Sequence, residues 1–174
     1  MASVIKVDQI QLSDGSKPTA GDLGLDTSGS VIQVAQGQYG VNENFSIAQG
    51  LSGPWCGLTG SITTKQANSK IKVEINLQGL VFESDNSYGR FQVYMNTGSG
   101  LVLVKYMGYP VHWSSTDNAS GTVMTDNFIS SPNVPAGTTV TFSMYFVSMS
   151  STNVFSLQRD SAALSTILMS EISA

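Results

Sequence analysis

The chain is 174 residues long with a net charge of −4, and 11% of it is charged, well under the roughly 25% usual for soluble globular proteins. Hydrophobic residues make up 41%, enough apolar area to offset the entropy of ordering, which excludes an intrinsically disordered chain and fits one domain with a short extension. The Lys and Arg residues, 8 in all and set singly from Lys6 to Arg159, form no basic stripe, so no nucleic-acid partner is expected.

Residues 1–30 hold brief apolar positions, Val4, Ile5, Ile10, Leu12, Leu23 and Leu25, among the turn signals Asp14-Gly15, Pro18, Gly21-Asp22 and Ser28-Gly29-Ser30. Such a segment cannot bury itself. It reads as an N-terminal docking arm that orders against a partner, with those six apolar residues as its contacts. The opening has no apolar stretch of signal-peptide length, and no run approaches the ~20 apolar residues of a membrane span. A chain made in a cytosol, without membrane insertion, is the expectation.

From Val31 the dominant period is two. Along Lys70-Ile71-Lys72-Val73-Glu74-Ile75-Asn76-Leu77-Gln78 every odd position is apolar and every even one polar, the pattern of a half-buried strand. Phe91, Val93 and Met95 alternate with Gln92, Tyr94 and Asn96; Val140, Phe142, Met144 and Phe146 alternate with Thr141, Ser143 and Tyr145. Less regular strands are predicted at Val31 to Gln36, Phe45 to Ala48, Ser61 to Thr64, Leu101 to Tyr106, Thr122 to Ile129, Val154 to Leu157 and Ser165 to Ile172. Short strands separated by Gly, Asn, Ser and Pro clusters imply an all-β fold over 31–174, an antiparallel sandwich or jelly roll.

Leu101-Val102-Leu103-Val104 and Ile167-Leu168-Met169 are apolar on both faces. A sandwich covers only one face of each sheet, so a second copy is expected over the other, with Leu101, Leu103, Ile167 and Met169 as interface candidates.

Catalytic chemistry has little to work with. Cys56 is the single cysteine and His112 the single histidine, so neither a disulfide within the chain nor a Cys/His metal cluster can form. No Gly-x-Ser-x-Gly elbow accompanies His112. Asp14, Asp22 and Asp26 lack the tight spacing of a calcium loop and read as turn formers. Gly98-Ser99-Gly100 leads into no helix and so is no phosphate cradle. No enzyme activity, metal or cofactor is expected. The aromatic stretch Tyr106 to Trp113 offers Tyr109, His112 and Trp113 as candidate glycan contacts, because aromatic faces beside amides suit sugar rings. Packing of these aromatics in the core or in a subunit interface is the alternative reading. A surface of hydroxyls and amides with few charges matches neutral glycans, with contacts nearly insensitive to salt.

Ala2-Ser3-Val4-Ile5-Lys6-Val7-Asp8-Gln9-Ile10-Gln11, Asp14-Gly15-Ser16 and Gly29-Ser30-Val31-Ile32-Gln33-Val34 resemble the start of short virion proteins of tailed phages, notably marine and cyanobacterial ones. Ser61-Ile62-Thr63, Ser69 to Val73, Gly89-Arg90-Phe91, Ser131-Pro132, Thr138 to Phe142 and Ser165 to Ile172 follow in the order of their fibre and tip domains. The resemblance covers most of the chain, apart from Asn96 to Ser120. It implies a C1q- or TNF-like jelly roll, trimeric, behind an arm that docks on other virion proteins. The function it implies is that of a tail fibre or tail-tip protein, assembled in the host cytoplasm and touching host surface glycan. A head decoration or cement protein, a capsid fibre protein and a cellular carbohydrate-binding module are the alternatives.

Overall fold

A computed structural model describes residues 15, 28–41, 43–48, 52–82, 89–107, 122–149, 152–157 and 164–174, with backbone alone at 43–48, 52–56, 80–82, 122 and 152–157. In chain order the strands are β1 (Val31–Tyr39), β2 (Glu43–Ala48), β3 (Ser52–Thr63), β4 (Lys70–Phe82), β5 (Gly89–Asn96), β6 (Leu101–Tyr106), β7 (Thr122–Ser130), β8 (Thr139–Ser148), β9 (Thr152–Leu157) and β10 (Ser165–Ile172). Every predicted strand is present. The largest difference is β3, which starts at Ser52 rather than Ser61. β3 is the edge of its sheet and carries an irregularity between Pro54 and Thr59, and edge strands and bulges are where proline is tolerated.

The pairing is nested. β1 lies antiparallel to β10, β2 to β9, β3 to β8, β4 to β7 and β5 to β6, so the chain is one long hairpin folded at the β5–β6 turn. Rolling that hairpin brings β10 beside β4 and β8 beside β5. The result is a 6-stranded sheet, β1-β10-β4-β9-β2 with β7 also on β4, facing a 4-stranded sheet, β3-β8-β5-β6. This is an antiparallel jelly roll. β4 serves two partners: its register with β7 shifts between Leu77 and Leu80, where Gly79 takes a φ of 61°, and beyond that bulge it pairs with β9.

The core lies between the sheets. Ile71, Val73, Ile75 and Leu77 of β4 face Phe91 and Val93 of β5 and the alternate residues of β8, all buried. The Phe91 and Phe146 rings meet at 4.9 Å between centroids. Burying each such side chain contributes about 1.5–3 kcal/mol. Ile167 and Met169 belong to the same core, each at 0% exposure, which corrects their expected place at a subunit interface. β10 runs in the middle of its sheet, between β1 and β4, and its odd positions point at the opposing sheet, so only Leu168 of this apolar run turns outward.

Two devices hold the sandwich edges. At one, β1 closes on β3 through Gly37 and Gly60: a Cβ on Gly37 would overlap the Thr59 carbonyl oxygen, and one on Gly60 would lie 2.6 Å from Met169 Cε. At the other, Lys105 of β6 and Asp126 of β7 form a salt bridge of 3.4 Å across the two sheets. The β1–β10 ladder also continues into the arm segment, since Gly29 N–H donates to Ser173 O at 3.2 Å and Ser173 N–H donates to Ser30 O at 3.0 Å.

Candidate binding surfaces

Tyr109, His112 and Trp113 lie outside the described residues, as do Val4, Ile5, Ile10, Leu12, Leu23 and Leu25. Leu103 is half-buried on β6, and Leu101 is 51% exposed at the start of that strand. β6 edges the four-stranded sheet, and Val102 beside Leu101 is exposed as well. Across the Lys105–Asp126 seam, β7 exposes Val123 and Ile129. Exposed apolar side chains therefore stand on both strands that flank this ion pair.

The best-formed surface is the outer face of the four-stranded sheet. Alternation places Thr59, Ser61 and Thr63 of β3 outward, with Thr139, Thr141, Ser143 and Tyr145 of β8 beside them and Arg90, Gln92 and Tyr94 of β5 next. Register then pairs the hydroxyls: Thr63 with Thr139 at 3.0 Å, Ser61 with Thr141 at 2.8 Å and Thr59 with Ser143 at 3.2 Å. Further along the same face the Tyr94 and Tyr145 rings sit 4.7 Å apart at 60°. Arg90 Cζ lies 4.5 Å over the Tyr106 ring of β6. Gln92, 3% exposed, is directly opposite Tyr145 on one side and Tyr106 on the other. With its amide oriented to satisfy both neighbours, it accepts from Arg90 Nε at 2.9 Å and Nη2 at 3.3 Å and donates to the Tyr94 hydroxyl at 2.9 Å. The buried amide thus fixes both a guanidinium and a phenol. Tyr106 was part of the aromatic stretch noticed in the sequence; Tyr94 and Tyr145 were visible only as polar-face positions of two separate strands.

On the six-stranded sheet, Glu74, Ile75, Asn76, Thr125, Asp126, Asn127, Thr166 and Leu168 line a shallow hollow of about 390 Å³. Glu74 is paired with Lys72 at 3.0 Å, and Asp126 is held in the opposite seam by Lys105. Each of the two carboxylates is thus engaged by a lysine.

Glu171 is a further carboxylate of the described region. It follows Ile167 and Met169 on the inward face of β10 and is fully buried. Its Oε1 accepts from Lys65 N–H at 2.8 Å, Gln66 N–H at 3.1 Å and the Ser69 hydroxyl at 2.7 Å; its Oε2 accepts from Lys65 N–H at 3.0 Å and Gln33 Nε2 at 2.6 Å. Burial pushes the carboxyl up. The bonds from Ser69, Lys65, Gln66 and Gln33 outweigh it and hold the group below its ordinary value. With every lone-pair direction occupied by a donor of the fold, Glu171 is a latch tying the β3–β4 loop to β10 and β1. It is missed by reading β10 as an apolar strand, although a carboxylate in phase with Ile167 and Met169 was the signal. Among the described residues no group of three or more His, Cys, Asp and Glu gathers to hold a metal ion.

No protein-family model matches the chain, and no curated protein does. Its fold is similar to that of the Eiger TNF from S. frugiperda, at a TM-score of 0.46 and 9% identity over 81% of this chain and 93% of that one. It is similar also to a chain of infectious bursal disease virus Gt strain, at a TM-score of 0.45 and 13% identity; 97% of this chain is covered but only 43% of the viral one. A structure described as CBM4 superposes at a TM-score of 0.28 with 14% identity, over 79% of this chain and 92% of that one. These likenesses concern fold and not activity.

Proposed function

We propose that the chain is a non-enzymatic virion structural protein, a tail-fibre or tail-tip component of a tailed phage. It docks through residues 1–30, assembles as a homotrimer and presents the outer face of its four-stranded sheet to host surface glycan. The observation that carries the glycan part is the union, on one rigid sheet face, of the paired hydroxyls with the Tyr94–Tyr145–Tyr106 cluster. Tyrosine rings offer an apolar face and a polar tip, and hydroxyls exchange hydrogen bonds with sugar hydroxyls at little net cost. The phage part is supported by the resemblance of the opening and by the turn-rich arm ahead of β1. Weak contacts per subunit, multiplied over a trimer and over several trimers per particle, give useful avidity.

Immunolabelling of particles in negative stain tests the location. Label on the tail supports the reading, and label on the head transfers the chain to decoration or cement. Because the ladder reaches Gly29 and Ser30, the informative truncation removes residues 1–27. It is expected to leave thermal unfolding of the domain nearly unchanged while abolishing incorporation into particles. A collapsed melting transition would show that the arm is part of the domain.

The trimer is tested at the exposed β6–β7 edge. Light scattering of the purified chain is expected to give three times the monomer mass. Leu101→Asp combined with Ile129→Asp, two exposed positions, is expected to give a folded monomer with an unchanged circular dichroism spectrum. A parent chain that is monomeric at micromolar concentration removes the trimer. A double variant that remains trimeric moves the interface elsewhere.

A further inference from the structure

We propose that the outer face of the four-stranded sheet takes an acidic saccharide, with Arg90 receiving the sugar carboxylate while Tyr94 and Tyr145 carry the rings. The inference rests on the glycan reading above and adds the charge class of the ligand, departing from the neutral, salt-insensitive contact that composition implies.

Arg90 is prepared for an anion in a way a surface arginine is not. Its Cζ lies 4.5 Å from the centroid of the Tyr106 ring, and Nε and Nη2 donate to Gln92 Oε1, so the side chain is held by a ring and along one edge. A guanidinium has five N–H donors. The end formed by its two terminal nitrogens keeps a donor on each, the fork that meets a carboxylate in two parallel bonds. Gln92 is itself buried and anchored by Tyr94, so the arrangement is rigid before any ligand arrives, and little rotamer freedom is lost on binding.

Charge pairing points the same way. Lys72 and Lys105 have carboxylate partners, Glu74 and Asp126, while Lys65 and Lys70 lie away from the outward positions of β3, β5 and β8. Among the described residues no carboxylate pairs with Arg90, and it is the one cation described on the outward positions of β3, β5 and β8. The rows of hydroxyls start next to the tyrosines, at Thr59 and Ser143, and end at Thr63 and Thr139. That is about 13 Å of strand at ~3.4 Å per residue, which favours an oligosaccharide lying along β8 over a single sugar.

The test uses the full chain with three immobilised polymers: sodium polygalacturonate, its methyl-esterified form and neutral galactan. Esterification removes the charge and keeps the ring. The acid form is expected to bind about tenfold or more tightly than the ester, as charge-assisted hydrogen bonds allow, and the gap is expected to shrink as ionic strength rises. Arg90→Gln should abolish the gap, Arg90→Lys should restore only part of it, and Tyr145→Ala should weaken both forms, each in a variant shown by circular dichroism to be folded at the assay temperature. Equal binding of acid and ester, indifferent to Arg90→Gln, overturns the acidic assignment and leaves the glycan reading standing, as does binding to galactan alone. Binding to none of the three overturns the assignment and the glycan reading together.

Discussion

Glu171→Ala is expected to destabilise the domain by about 3–5 kcal/mol, because it strands several buried donors at once, each costing ~1–3 kcal/mol when left unpaired. The donors at risk are the Lys65 and Gln66 amides, the Ser69 hydroxyl and the Gln33 amide. Glu171→Gln keeps the shape but turns an NH₂ toward a donor, so an intermediate loss is expected. The carboxyl also makes stability depend on pH. Its pKa in the fold lies below the ordinary 4.5, so between the two values the unfolded chain binds more protons and stability rises with pH. The contribution is therefore complete above about 4.5 and is lost as pH falls through the lower, folded value. Urea unfolding from neutral to acid pH checks both points: Glu171→Gln should flatten the acid limb. A Glu171→Ala chain that unfolds within about 1 kcal/mol of the parent would show that water or loop movement satisfies the donors instead.

Gly37→Ala is expected to cost about 3 kcal/mol or more, and Gly60→Ala clearly less, although both face the same seam. The difference lies in what the new methyl group meets. At Gly37 it overlaps the Thr59 carbonyl oxygen, part of the β3 backbone, which cannot retreat without lifting the strand from β8. At Gly60 the nearest atom is Met169 Cε, the far end of a flexible side chain, with Ile167 Cγ2 at 2.8 Å. Differential scanning calorimetry of the two variants should show a fall in Tm of roughly 6–12 °C for Gly37→Ala, at ~2–4 °C per kcal/mol for a domain of this size. Equal small shifts in both would mean that the β1–β3 seam is open.

Alternation alone determined which residues of β4, β5 and β8 face inward, because the side-chain period of a strand is two and one face of each is apolar. The same alternation put Gln92, Tyr94 and Asn96 on one polar face and Thr141, Ser143 and Tyr145 on another. What it did not decide is that those two faces are one surface. β5 and β8 meet through register contacts such as Gln92 with Tyr145 and Tyr94 with Ser143, far apart in the chain, and nothing local in either strand encodes the other. The doubly apolar run Ile167-Leu168-Met169 was misassigned for the same reason: whether a face is covered by the opposing sheet or by a second chain is a property of the roll, not of the strand. Glu171 shows the limit from the other side. Its inward phase was readable from Ile167 and Met169, but only the tertiary structure brings the amides of Lys65 and Gln66 and the side chains of Gln33 and Ser69 to it, and those donors make a buried carboxylate stable where the pattern alone would call it a fault.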